Sequence, residues 1–74
     1  AGQVEIRGDS PFADRPLGST RARTRTGASV VAIVRDEDVI ASPGPDEVLR
    51  RGDVLVVFGT SEGIAGVTDI VTRG

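Results

Sequence analysis

The chain has 74 residues, nine arginines against eleven acidic side chains, and a net charge of −2, with neither histidine nor cysteine. That inventory excludes disulfides and ordinary zinc sites, and the acidic balance argues against a general DNA or RNA binder, whose footprint is a strongly basic surface. A chain this short buries only ~60% of the surface its unfolded form exposes, so self-association into a homodimer is the expected source of extra stability.

In chain order, Gln3 to Arg7 alternates Val4 and Ile6 with polar residues and predicts a first strand. Gly8-Asp9-Ser10-Pro11 is a turn cluster, and Phe12 is placed to anchor the following loop in the core. Pro16 suits a helix start. The segment Leu17–Arg25 is read as the first helix despite Gly18, Ser19 and its threonines, which lower its intrinsic propensity. Gly27 suits the stop. Ala28–Arg35 is a near-continuous apolar, β-branched run and predicts a buried strand. Asp36-Glu37-Asp38 reads as a polar hairpin tip, with Val39-Ile40 starting the returning strand. Ser42-Pro43-Gly44-Pro45 breaks that strand, and Asp46 is expected to cap a short helical turn through Leu49. Arg50-Arg51-Gly52-Asp53 reads as turn chemistry. Val54–Phe58 is a second apolar strand. Thr60 or Ser61 is expected to cap a final helix with Ile64, Val67, Ile70 and Val71 at helical spacing. The predicted order is β-α-β-β-β-α, a small α+β sandwich.

One junction carries the chemistry. Arg21, Arg23 and Arg25 alternate with small residues and lead through Gly27 into the apolar strand. Fixed positive charge therefore stands at the mouth of a rigid element, a plausible place for an anion. A solvated basic face is the plainer reading of the trio, and Arg21 is read as pairing with a nearby carboxylate. The acidic run 36–38 offers no convergent oxygen ligands for a metal. Two aromatics, Phe12 and Phe58, are too few for a single-strand stacking platform. Without histidine, cysteine, lysine or tyrosine, most general bases and covalent nucleophiles are missing, so no catalytic residue is assigned.

Taken together, Ser10-Pro11, Leu17, the block Arg25–Ile33, Val39–Asp46 and Arg51–Thr60 resemble the RCK C-terminal, or TrkA-C, domain. The likeness runs from about Val4 to Val71 and is closest to the regulatory subunits of bacterial cation:proton antiporters. The resemblance implies residues 1–74 as a single RCK_C domain cut from a longer protein, and a two-fold dimer. It further implies attachment to a membrane antiporter subunit that moves potassium or sodium. No apolar run reaches the ~20 residues needed to span a bilayer and no signal peptide opens the chain. The expectation is a cytoplasmic domain held at the membrane only through the transporter.

In a subset of the family, the resemblance implies cyclic di-AMP bound between two protomers, as a regulatory ligand rather than a cofactor. The implied contacts are Leu17 at the start of the first helix, Ala22 and Arg23 late in it, Arg25 two residues on, Ala28 and Ser29 at the head of the next strand, and Pro45 in the loop, with Pro43 the alternative. Family sites often carry an aromatic where Arg25 stands, and His and Asn where Ala28 and Ser29 stand. An arginine plane can still stack on adenine. A two-fold ligand with two phosphates meets each residue twice, and a guanidinium fork bonds two phosphate oxygens. The alternative is a dimerisation and transporter-docking module that binds no nucleotide.

Overall fold

The computed structural model describes the whole chain, Ala1–Gly74. Its four strands form one antiparallel sheet in the order β1-β4-β2-β3. They are β1 (Gly2–Glu5), β2 (Ser29–Arg35), β3 (Asp38–Ala41) and β4 (Val54–Phe58). A short helix α1 (Ala22–Thr26) and a longer one, α2 (Ser61–Arg73), complete the predicted order. Both helices cover one face of the sheet.

The core lies between those layers. Leu55 and Val57 on β4 are buried, and so are Val4 and Ile6 of the first strand region, Ile33 on β2, and Val67 and Val71 on α2. Successive side chains on a strand alternate between faces, but β2 departs from that rhythm. Val30 pairs with Val57 and Ile33 with Leu55, with a register shift between Val30 and Ala32. Val31 is the inserted residue of a β-bulge, and the bulge turns Val30 and Ile33 onto the same core-facing side. The other face carries Ala32, Val34, Val54, Val56 and Phe58, matched by the register, with Val39 opposite Val34. No helix covers it, and Val39 and Phe58 are 66% and 57% exposed.

Several local expectations hold. Gly27 adopts the left-handed conformation (φ 77°), where its N–H reaches the Arg23 carbonyl and ends α1. Thr60, not Ser61, caps α2 by accepting from the Gly63 N–H at 3.0 Å. Phe12 is half-buried against the core. The hairpin loop narrows to Asp36-Glu37, since Asp38 already pairs with Arg35.

Two expectations are corrected. The segment from Leu17 is not one helix: a 3-10 turn (Leu17–Thr20) is separated from α1 by Arg21 in a left-handed conformation. The buried Thr20 hydroxyl explains the break. It donates to the Leu17 carbonyl (2.8 Å) and accepts from the Ala22 N–H (3.1 Å), closing one element and starting the next. Asp46 lies in a turn closed by the Glu47 N–H on the Gly44 carbonyl (3.1 Å), but the helical turn expected from it through Leu49 does not form: the chain after it is extended, and Val48 bridges Pro16. Backbone bonds Leu17 N–H to Glu47 carbonyl and Leu49 N–H to Arg15 carbonyl, both 2.8 Å, consume the groups a helix would need. The turn at Arg50–Asp53 holds, closed by the Asp53 N–H on the Arg50 carbonyl (3.0 Å) with Gly52 at φ 92°, and Asp53 is in addition 1% exposed and ion-paired to Arg35.

Candidate functional site

A cavity of about 340 Å³ opens where the 3-10 turn, α1, the head of β2 and the loop after β3 meet. The turn contributes Leu17, Gly18 and Thr20, the break contributes Arg21, and α1 contributes Ala22, Arg23 and Thr24. Ser29 and Val30 come from β2, and Pro43 and Pro45 from the loop. Residues nearly thirty positions apart are brought together by the backbone pairing of the two loops. Gly18 donates to the Pro45 carbonyl at 2.8 Å, and a Cβ on Gly18 would lie 2.9 Å from the Pro45 Cβ. The proline therefore rests directly on the 3-10 turn, an approach that only glycine permits.

Six of the residues expected at a ligand site line this cavity: Leu17, Ala22, Arg23, Ser29, Pro43 and Pro45. Arg25 and Ala28 do not. Arg25 turns the other way, and its guanidinium donates to the Thr20 carbonyl (3.5 Å) and the Gly74 carbonyl (3.3 Å). Ala28 is 1% exposed. A Cβ at Gly59 would lie 2.8 Å from the Ala28 Cβ, so Ala28 is a packing residue under the start of α2. Within one protomer these two residues present no side chain to the cavity.

The electrostatics of the lining are one-sided. Arg21 and Arg23 are exposed and neither joins any of the ion pairs, which involve Arg7, Arg35 and Arg73. No carboxylate lines the cavity. Leu17 and Val30 add apolar surface, while Ser29 and the backbone add hydrogen-bonding groups. Cationic forks beside apolar slots suit an anion with a planar, partly apolar body. Thr24 and Thr20 were not foreseen as lining residues; the sequence signal was only their place between the arginines.

The other charged centre is structural. Arg35 Nε donates to Asp53 Oδ1 (2.9 Å) and Nη2 to Oδ2 (2.8 Å), while Nη2 also reaches the Val48 carbonyl. Burial by itself pushes the Asp53 carboxyl up. The bonds from Arg35 and the Arg50 N–H outweigh it and hold the group below its ordinary value. The Arg35 guanidinium is raised, chiefly by the Asp53 hydrogen bond. A smaller cleft of about 200 Å³ between Glu5, Arg7, Asp9, Val71 and Thr72 is of mixed charge. No group of residues has the arrangement of a metal site, and no helix is long and apolar enough to cross a membrane.

Residues 2–72 match the family model described as the TrkA-C domain. Among curated proteins, the chain is 32% identical over 68 residues to Probable potassium channel protein 2 of Methanocaldococcus jannaschii. It is 39% identical over 67 residues to Ktr system potassium uptake protein C of Bacillus subtilis. It spans only 20% and 28% of those two proteins, against 92% and 90% of its own length. Among solved structures, it is similar to the RCK_C domain dimer of S. agalactiae BusR in complex with c-di-AMP. That match has a TM-score of 0.84 and 27% identity, covering 95% of this chain and 86% of that one. A KtrA RCK C domain in complex with cyclic diadenosine monophosphate matches at a TM-score of 0.78 and 25% identity, covering 92% and 80%. A longer BusR chain, of which this one covers 34%, is in complex with its busAB-promotor DNA.

Proposed function

The chain belongs to the TrkA-C domain family, and on that premise we propose that residues 1–74 are a regulatory sensor binding cyclic di-AMP across a homodimer. The observation that carries this reading is the cavity. It gathers Leu17, Ala22, Arg23, Ser29, Pro43 and Pro45 around two unpaired guanidinium groups, with no acid among them.

Size supports the dimer. About 340 Å³ is near the bottom of the ~300–1,000 Å³ range of small-molecule pockets. One protomer then holds one nucleotide half, and a second copy completes the site. The uncovered apolar face of the sheet, reached from the cavity through Ser29 and its partner Phe58, gives a second copy surface to bury. Two protomers place Arg23 twice against two phosphates. The adenines lie against Leu17, Ala22 and the Pro43–Pro45 loop, with Ser29 at a base edge. Arg25 and Ala28 enter the proposed site only by way of the partner protomer or through backbone atoms.

Ligand binding becomes regulation when the two states of the attached transporter bind the effector with different affinity. The transporter is one for monovalent cations, in keeping with the potassium proteins among the relatives. The finer target, a cation:proton antiporter, rests on the wording of Arg23–Ser29 and Ser42–Asp46. The domain would act in the cytoplasm, held to the membrane through that partner. With net charge −2 and no cluster of stacking aromatics, it is not proposed to bind DNA or RNA itself.

Calorimetric titration of the isolated domain with cyclic di-AMP tests the reading. Arg23→Ala should weaken binding at least tenfold, as expected for loss of a charged hydrogen bond of ~1.5–3 kcal/mol. A flat titration of the unmodified domain at high micromolar ligand would favour a docking module without nucleotide.

A further inference from the structure

Four residues other than glycine have positive φ: Asp14 (66°), Arg21 (51°), Asp36 (54°) and Ser42 (48°). Asp and Ser are short polar residues that form turns readily, and Asp tolerates the left-handed region. Arginine has no such excuse. Arg21 takes this conformation at the break between the 3-10 turn and α1 (φ 51°, ψ 33°). Its side chain gains nothing internal in return, because it makes neither an ion pair nor a hydrogen bond within the chain. Arg21 is among the residues that line the cavity, two residues before Arg23. The family resemblance implies Arg25 as the second cationic contact, but its guanidinium is engaged with the Thr20 and Gly74 carbonyls.

We infer that Arg21 is a second anion-contacting residue of the cavity, and that its unfavourable backbone is kept because it delivers the guanidinium there. The inference rests on the anion-site reading above and extends it. Local strain held at a position whose side chain makes no internal hydrogen bond or ion pair points to a function for that side chain. A two-fold pair of cavities then carries four guanidinium groups. Such a site prefers ligands with at least two separated phosphates over a single nucleotide monophosphate, and each arginine adds to the salt dependence of binding.

The test uses the 74-residue chain and three variants, Arg21→Gln, Arg21→Gly and Arg23→Ala, titrated with cyclic di-AMP and with AMP at several salt concentrations. Melting temperatures are recorded in parallel. The expected result is about tenfold weaker cyclic di-AMP binding for both Arg21 variants, with a shallower salt dependence. The preference for cyclic di-AMP over AMP should narrow. Arg21→Gly should melt at or above the unmodified chain, since glycine accepts positive φ freely. A drop in affinity without a drop in melting temperature separates contact from folding. Unchanged affinity in both Arg21 variants, with Arg23→Ala still impaired, overturns this inference and leaves the proposed function standing. No binding to the unmodified chain overturns both.

Discussion

Arg35 and Asp53 meet in a two-pronged ion pair, Nε to Oδ1 at 2.9 Å and Nη2 to Oδ2 at 2.8 Å, at the end of the core where β2 and β4 lie side by side. Asp53 is 1% exposed, whereas the Arg35 side chain keeps 22% of its surface. The carboxylate also accepts from the Arg50 N–H and so pins the turn that feeds β4. Arg35 extends to the Val48 carbonyl and, at 3.6 Å, to Glu47. The same loop carries Pro45, so the pair ties down the segment that leads away from the cavity.

Removing Arg35 leaves a buried carboxylate without its partner, which costs ~3–5 kcal/mol in comparable settings. A domain of this size is stable by only about 5 kcal/mol. Arg35→Ala is therefore expected to be mostly unfolded or to melt far below the unmodified chain, as followed by circular dichroism during urea titration. Arg7→Ala makes the control: its 3.5 Å pair with Asp9 is largely exposed, and its loss should change stability by under ~1 kcal/mol.

Acid should weaken the fold through the same group. The folded Asp53 value lies below its ordinary one, so the pair's contribution is complete above about pH 4, the unfolded value, and is lost as pH falls through the depressed folded value. Urea midpoints measured from pH 7 downward should show the stability gap between the unmodified chain and Asp53→Asn shrinking in acid. A gap constant with pH would remove Asp53 from the acid response.

The approach of Gly18 to Pro45 makes a prediction about binding without contact chemistry. An alanine Cβ at position 18 would sit 2.9 Å from the Pro45 Cβ and 3.1 Å from its carbonyl oxygen. The loop must then move outward. Gly18→Ala should lower cyclic di-AMP affinity about fivefold, roughly 1 kcal/mol, while circular dichroism reports an intact fold.

Ala28 supplies the contrasting case. Gly59→Ala would bring a Cβ to 2.8 Å from the Ala28 Cβ and 3.0 Å from its Cα. Overpacking of this kind costs ~1–3 kcal/mol. Adding Ala28→Gly removes one of the two clashing groups, so the double variant should recover part of the loss in a denaturation cycle. Strict additivity would mean that Ala28 is not the residue that holds the start of α2.

What the sequence made legible was governed by short-range rules. The apolar runs Val30–Val34 and Val54–Phe58, the stop at Gly27 and the cap at Thr60 each depend on neighbours within a few positions. Gly52-Asp53 read correctly as a local turn, but the ion pair of Asp53 was not legible, because its partner lies 18 residues away. The first helix misled because a single hydroxyl, that of Thr20, both closes the 3-10 turn and opens α1. The cavity lining was legible only in part for the same reason: six of the eight residues implied by the resemblance line it. Leu17, Arg23 and Ser29 were placed by their wording, but only the folded backbone shows Ala28 turned into the core and Arg25 turned from the cavity, with Arg21 in its lining.

The most direct measurement is the mass of the assembly under native conditions, with and without cyclic di-AMP. The account predicts a dimer that takes up one ligand, two chains to one nucleotide, with Arg23→Ala losing that uptake at the same concentrations. A strictly monomeric chain, or one ligand bound per separate chain, would contradict it.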